Sequence, residues 1–228
     1  MIRIGVTGTD TGVGKTVVTA ALAAALTRRG LNVAAMKPVE TGVRFDDAQR
    51  DGAKIARAAA RQSSLRMLAP VTLDEPLAPL IAARHVGRCI DLATLDQAMR
   101  EATADADALL VEGAGGLLVP ITDHLSYDAL FARWSLSVII VAVNRLGVIN
   151  HTRLTVAAAR AAGLTVRAIV LKGTATAADL STQDNASLIT ELTGAPVVSL
   201  PWLSDADDLE AAVAACEHAG LVELAIAS

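Results

Sequence analysis

Short runs of β-branched and aliphatic residues alternate along this chain with longer, Ala-rich stretches. Ile2 to Val6, Asn32 to Met36, Ala108 to Val111, Ser137 to Val143, Val166 to Leu171 and Pro196 to Leu200 read as strands. Lys15 to Arg28 reads as a helix with a nearly continuous apolar body, ended by Gly30. Asp46 to Arg61 also looks helical, with its charges on one face, and Pro70 to Pro79 looks irregular. Leu80 to Arg84, Leu92 to Ala104, Ile149 to Ala162, Thr182 to Thr193 and Asp207 to Ala219 complete the predicted helices. The strands are continuous apolar runs rather than alternating ones, the mark of a sheet buried on both faces. Strand following helix in turn implies parallel crossovers, so residues 1–228 are expected to form one α/β domain. Ligands of such a sheet sit beyond the carboxyl ends of its strands. Those points follow Val6, Met36, Val111, Val143, Leu171 and Leu200.

Composition narrows the classes. Of 228 residues, 53% are hydrophobic and 19% charged, which excludes a chain held open by charge. Lys plus Arg is 20 against 24 Asp plus Glu, a net charge of −4 without the basic footprint of a nucleic-acid binder. Aromatic residues at 2% also argue against a stacking platform for single strands. Cys89 and Cys216 are too few for a disulfide framework or a zinc site. No apolar run approaches the roughly 20 residues that span a bilayer, and the first residues carry no secretory pattern. A cytoplasmic protein with no membrane or nucleic-acid partner is the expectation.

The first strand runs into Gly8-Thr9-Asp10-Thr11-Gly12-Val13-Gly14-Lys15-Thr16, which opens directly into the first helix. Glycines let backbone N–H groups converge on phosphate oxygens, Lys15 adds a cation, and the Thr16 hydroxyl suits magnesium. Five residues separate Gly8 from Gly14 where the general phosphate-loop pattern has four. A strand before and a helix after make this a cradle for a nucleoside triphosphate, and the fold a P-loop NTPase-like sheet.

Two further strand ends carry charge. Lys37 follows the second strand, and Pro38 holds it out of the α region, so it projects toward the crevice that Lys15 faces. The chain has only four lysines, Lys15, Lys37, Lys54 and Lys172, so a lysine beside the phosphates suggests a compact point charge. Glu112 follows the third strand, and Gly113, Ala114, Gly115 and Gly116 after it allow close backbone approach. A carboxylate there is suited to magnesium, which takes one or two carboxylates plus phosphate oxygens. Asp51 is a second candidate carboxylate, with Asp46 and Asp47 competing on sequence alone.

Together these segments resemble dethiobiotin synthetases, which close the ureido ring in biotin synthesis. The resemblance is carried by the Gly8 to Thr16 loop, Lys37-Pro38-Val39, Val111 to Gly116, Leu146 to His151 and Pro201-Trp202-Leu203. It implies a homodimeric, ATP- and magnesium-dependent cyclo-ligase acting on 7,8-diaminopelargonate and CO2, with the substrate site at the subunit interface. On that resemblance Lys37, Lys15 and Thr11 are catalytic, and Thr16, Asp51 and Glu112 hold the metal. Gly12, Val13, Gly14, Lys15, Thr16, Val17, Asp51 and Glu112 through Gly115 bind the nucleotide, joined by Lys172, Gly173, Pro201, Trp202 and Leu203. Thr41, Gly115, Gly116, Val148, Ile149 and Asn150 bind the substrate.

Two places depart from the family pattern. Many members of the family it resembles carry Asn-Asp where this chain has Lys172-Gly173, and lysine cannot return the amide's two-way contact with adenine, so a relaxed nucleotide preference is expected. A tyrosine near the partner's substrate is replaced here by Asp184 or Asn185. The competing readings are a small-molecule kinase and an ATPase switch of the partitioning type. The switch family has a lysine where this chain has Asp10, and the tail from Asp205 to Ser228 is acidic and Ala-rich, unsuited to anionic lipid.

Overall fold

The computed structural model describes residues 1–59, 69–175 and 180–227. The end of the predicted helix from Asp46 to Arg61 lies outside them. Among the described residues six strands form the central sheet: β1 (Ile2–Gly8), β2 (Val33–Met36), β5 (Ala108–Gly116), β8 (Ser137–Val143), β9 (Val166–Lys172) and β10 (Val197–Leu200). Their order is β10-β9-β8-β1-β5-β2, and every neighbouring pair is parallel. Outside the sheet β3 (Val39–Thr41) pairs with β4 (Val71–Leu73) and β6 (Pro120–Thr122) with β7 (Leu125–Ser126).

Among the described residues the helices are α1 (Lys15–Arg28), α2 (Asp51–Ala58), α3 (Pro79–His85), α4 (Leu92–Thr103) and α5 (Tyr127–Arg133). They continue with α6 (Val148–Ala161), α7 (Leu180–Gln183), α8 (Asn185–Thr193), α9 (Leu209–His218) and α10 (Leu221–Ile226). The period-two geometry of a strand divides each one between two cores. Ile4, Val6, Ala35, Leu110, Ile139, Val141 and Val170 face α1, α9 and α10. Met36, Leu109, Val111, Val138, Ile140 and Leu171 face the layer built from α3 to α6 and α8. Apolar residues at successive strand positions are therefore all buried, on alternate sides.

The long elements follow the sequence reading within a residue or two, and the differences have local causes. The helix expected from Asp46 begins only at Asp51, because residues 46 to 50 are spent in turns closed by Asp47 and Arg50. The irregular segment from Pro70 to Pro79 contains β4, whose pairing with β3 neither segment signals alone. The helix expected from Thr182 breaks at Asp184, where φ is −101° and ψ is 0°. β5 runs five residues beyond Val111, since Val6 pairs with Glu112 and Gly8 with Gly116. Glu112 thus stands inside a strand rather than after it. Among the described residues, no helix is long and apolar enough to cross a membrane.

Candidate active site

The carboxyl ends of β1, β2, β5 and β9 open into one cavity of about 1000 Å³. The loop after β1 curls over its floor. Gly14 precedes α1 at φ 102°, a left-handed conformation that side-chain-bearing residues rarely adopt. The turn leaves the first N–H groups of α1 free toward the cavity, where they and the helix dipole favour an anion. The Lys15 ammonium folds back to donate to the Asp10 carbonyl at 2.9 Å. Burial lowers the Lys15 pKa against the pull of Glu112, and the nearby Lys37 charge lowers it further.

Lys37 is buried beside it. Its ammonium donates to Glu112 Oε1 at 2.8 Å and to Asp51 Oδ2. Burial opposes the Lys37 charge, but Glu112 and Asp51 outweigh it and raise the pKa above that of a free lysine. Asp51 is held below the usual carboxylate range: burial works against its charge, and Lys37 overcomes that. The Thr16 hydroxyl donates to the same Glu112 oxygen at 3.0 Å. Glu112 is completely buried, and its second oxygen has no hydrogen-bond partner among the described residues.

Asp51 owes its place to a second buried pair. Arg50 Nη1 donates to Glu40 Oε2 at 2.7 Å, and the Gly52 N–H donates to Glu40 Oε1 at 2.9 Å. Glu40 on β3 therefore grips the residues on either side of Asp51 at the start of α2. The Arg50 guanidinium also lies over the Phe45 ring, 4.8 Å from its centroid. This pairing selects Asp51 over Asp46 and Asp47. Asp46 pairs with Arg44, and Asp47 caps its own turn through the Gln49 N–H.

Of the residues singled out from sequence, Thr11, Gly12, Gly14, Lys15, Thr16, Val17, Lys37, Thr41, Asp51, Glu112, Ala114, Gly115 and Lys172 line the cavity. Val13 is instead a core residue under the loop, and Gly113 packs against Tyr127. Gly116 pairs with Gly8 and does not line the cavity. Gly173 abuts the turn after β10, where an added Cβ would stand 2.9 Å from the Trp202 nitrogen. Pro201 and Trp202 are exposed on that turn. Val148, Ile149 and Asn150 do not reach the cavity within one chain. They start α6, whose Val148 joins the core on the face of the sheet away from α1. Sequence reading missed the far wall, where Lys54 and Arg57 of α2 face Asp207, Leu209 and Ala212. The scarcity of lysine could have pointed to Lys54.

The fold and the loop define a P-loop nucleotide-binding protein, and residues 3–210 match the AAA domain family. Among solved structures, a ParA family ATPase from Chlorobium tepidum overlays with a TM-score of 0.52 at 17% identity, covering 99% of this chain and 98% of that one. The septum site-determining protein MinD from Pyrococcus horikoshii, complexed with Mg-ADP, gives 0.54 at 16%, covering 99% and 95%. At such identities the likeness is one of fold. Sequence relatives are more specific. The ATP-dependent dethiobiotin synthetase BioD of Anaeromyxobacter sp. (strain Fw109-5) is 42% identical over 88% of this chain and 90% of its own. Those of Aquifex aeolicus and Bacillus cereus (strain G9842) are 41% and 36% identical, covering 90% and 86% of this chain and 91% and 81% of theirs. The chain belongs to the ATP-dependent dethiobiotin synthetase family, ligases that form carbon–nitrogen bonds.

Proposed function

We propose that this chain makes dethiobiotin from 7,8-diaminopelargonate, CO2 and ATP, and that residues 1–228 act as one domain. The observation that carries the reading is Lys37, a buried ammonium held by two carboxylates beside the phosphate loop. One substrate amine adds to CO2 and loses a proton, giving a carbamate. The carbamate oxygen takes the γ-phosphoryl group of ATP and ADP leaves. The second amine then attacks the carbamoyl carbon, phosphate departs with the proton, and the five-membered ring closes. Charge builds on the phosphoryl oxygens and on the carbamate, and fixed cations there lower the barrier without reorganising. Lys15 serves the phosphoryl group, and Lys37 stands where it can face both groups. Thr11 and Thr41, which both line the cavity, supply hydroxyl donors.

Magnesium fits the residues present. Thr16, Asp51 and Glu112 offer one hydroxyl and two carboxylates, and the unpartnered Glu112 oxygen is buried. Among the described residues no cluster of three or more His, Cys, Asp or Glu side chains forms a site for a metal alone. A cation completed by phosphate oxygens is what this set suits, and it would neutralise the charge of the polyphosphate. Homodimer formation is part of the same reading. Leu146 just before α6 and Leu154 in its second turn are 83% and 63% exposed, so a second subunit covering them would bring the Val148 backbone, Ile149 and Asn150 to its neighbour's cavity. Asp184 is exposed for such a contact, whereas Asn185 is buried and donates to Asn144 Oδ1 at 2.7 Å. A cytoplasmic location fits the reaction.

Incubating the protein with diaminopelargonate, bicarbonate, magnesium and ATP should give dethiobiotin by mass, lost in Lys37→Ala. Phosphate release with no new mass would refute the ligase and favour the switch.

A further inference from the structure

All four lysines of the chain line the same cavity. Three have oxygen partners. Lys15 donates to the Asp10 carbonyl, Lys37 to Glu112 and Asp51, and Lys54 to Asp207 at 2.6 Å. Among the described residues Lys172 has no oxygen partner, and its ammonium rests over the Trp202 ring, 5.3 Å from the centroid. Its backbone is fixed at the end of β9. The Asn144 N–H donates to its carbonyl at 2.8 Å, and the Gly173 N–H donates to the Leu200 carbonyl at 2.8 Å. From there the side chain runs back to the phosphate loop. A Cβ on Gly14 would stand 2.8 Å from Lys172 Cδ and 3.3 Å from its Nζ. Gly14 is thus required for its own turn and also for the passage of Lys172.

We propose that Lys172 binds the phosphates of the nucleotide rather than its base, moving its ammonium from the Trp202 face to phosphate oxygens when the loop is filled. The inference rests on the nucleotide-binding reading of the cavity. An ammonium has three donors and no acceptor, so it cannot read a base edge that presents both. A half-exposed cation–π contact is weaker than a charge-assisted bond to phosphate, and the ammonium is already against the loop. A lysine at this strand end therefore places affinity on the phosphates, which are common to all nucleotides, rather than on the base, which differs between them.

Calorimetry and tryptophan fluorescence with ADP, GDP, CDP and inorganic tripolyphosphate test this on the intact protein. Lys172→Met should weaken all four ligands by a common factor of about tenfold or more. Lys172→Arg should restore most of that loss. The fluorescence change caused by tripolyphosphate should disappear in the methionine variant, because Trp134 is buried and Trp202 is the indole that Lys172 covers. Lys172→Gln serves if the methionine variant melts early. A changed order among ADP, GDP and CDP with tripolyphosphate unaffected would overturn the proposal in favour of base reading. Unchanged affinities throughout, or wild-type protein that binds no tripolyphosphate, would overturn it too. The readout is binding, so it is independent of whether dethiobiotin forms.

Discussion

Where β2 and β5 end, Lys37 and Glu112 are buried and paired, with the half-exposed Asp51 bound to the same lysine; where β9 and β10 end, Lys172 lies against a half-exposed indole. Lys37, Glu112 and Asp51 share hydrogen bonds, and Glu40 and Arg50 behind them are 1% exposed each. A charge removed from water is strongly destabilising if its partner is lost, so every member of the first region restrains the others. Lys172 has no such restraint and can exchange an indole for an anion cheaply. The two ends of one cavity therefore divide the work. One presents a preorganised field to the reacting groups, and the other adapts to what is bound.

The contrast can be broken at its strongest point first. Lys37→Ala should lower dethiobiotin formation by about 10³-fold, the order found when a single preorganised charge-stabilising donor is removed. A fall under tenfold, measured by product mass, would mean that the paired region does not carry the chemistry. Arg50→Met should cost about 3–5 kcal/mol in urea unfolding, since it strands the buried Glu40 carboxylate. Adding Glu40→Gln should recover part of that loss, and equal stability of single and double variants would show that the pair does not tether α2.

At the adaptable end, Gly173→Ala forces a Cβ against the Trp202 nitrogen. Its expected effect is a nucleotide KM raised roughly tenfold at nearly constant kcat, because overpacking there disturbs binding and not the reacting groups. A fall confined to kcat would dissolve the division. A pH series sharpens it further. The Lys15 pKa is lowered by burial, so its ammonium loses the proton below the 10.5 of an ordinary lysine. ADP affinity should therefore fall as pH rises through that lower value, while Lys37, raised by its carboxylates, stays charged. An alkaline limb beginning only above 10.5 in calorimetric titrations would contradict this. The smallest effect concerns the thiols. Burial pushes Cys216 up to about 12, and Cys89 is exposed, so a thiol reagent should modify about one cysteine per native chain.

Much of this was legible because it is local. The phosphate loop declares itself in nine consecutive residues, and Pro38 aims Lys37 through its own ring geometry. β-branched runs mark the strands whose carboxyl ends gather the site, and Glu112 was found as one of those ends although β5 continues past it. What was not legible depends on partners far along the chain. β3 and β4 are three residues each and become strands only by pairing with each other. α5 is a seven-residue helix whose Tyr127, Leu130 and Phe131 are buried in a core that other segments supply. Asp46, Asp47 and Asp51 are equivalent as letters, and only Glu40 and Arg50 distinguish them.

The sequence by itself determined the parallel α/β sheet, the phosphate cradle and the family, because period, glycine spacing and strand-end charges act over a few residues. Tertiary structure decided which aspartate meets Lys37, that Lys54 joins the same cavity, that Lys172 runs back to Gly14 and the Trp202 face, and that the start of α6 stays out of the cavity within one chain. Each of those outcomes is a long-range contact, in which burial raises the energetic cost of an unpaired charge and so selects one partner among chemically equal candidates.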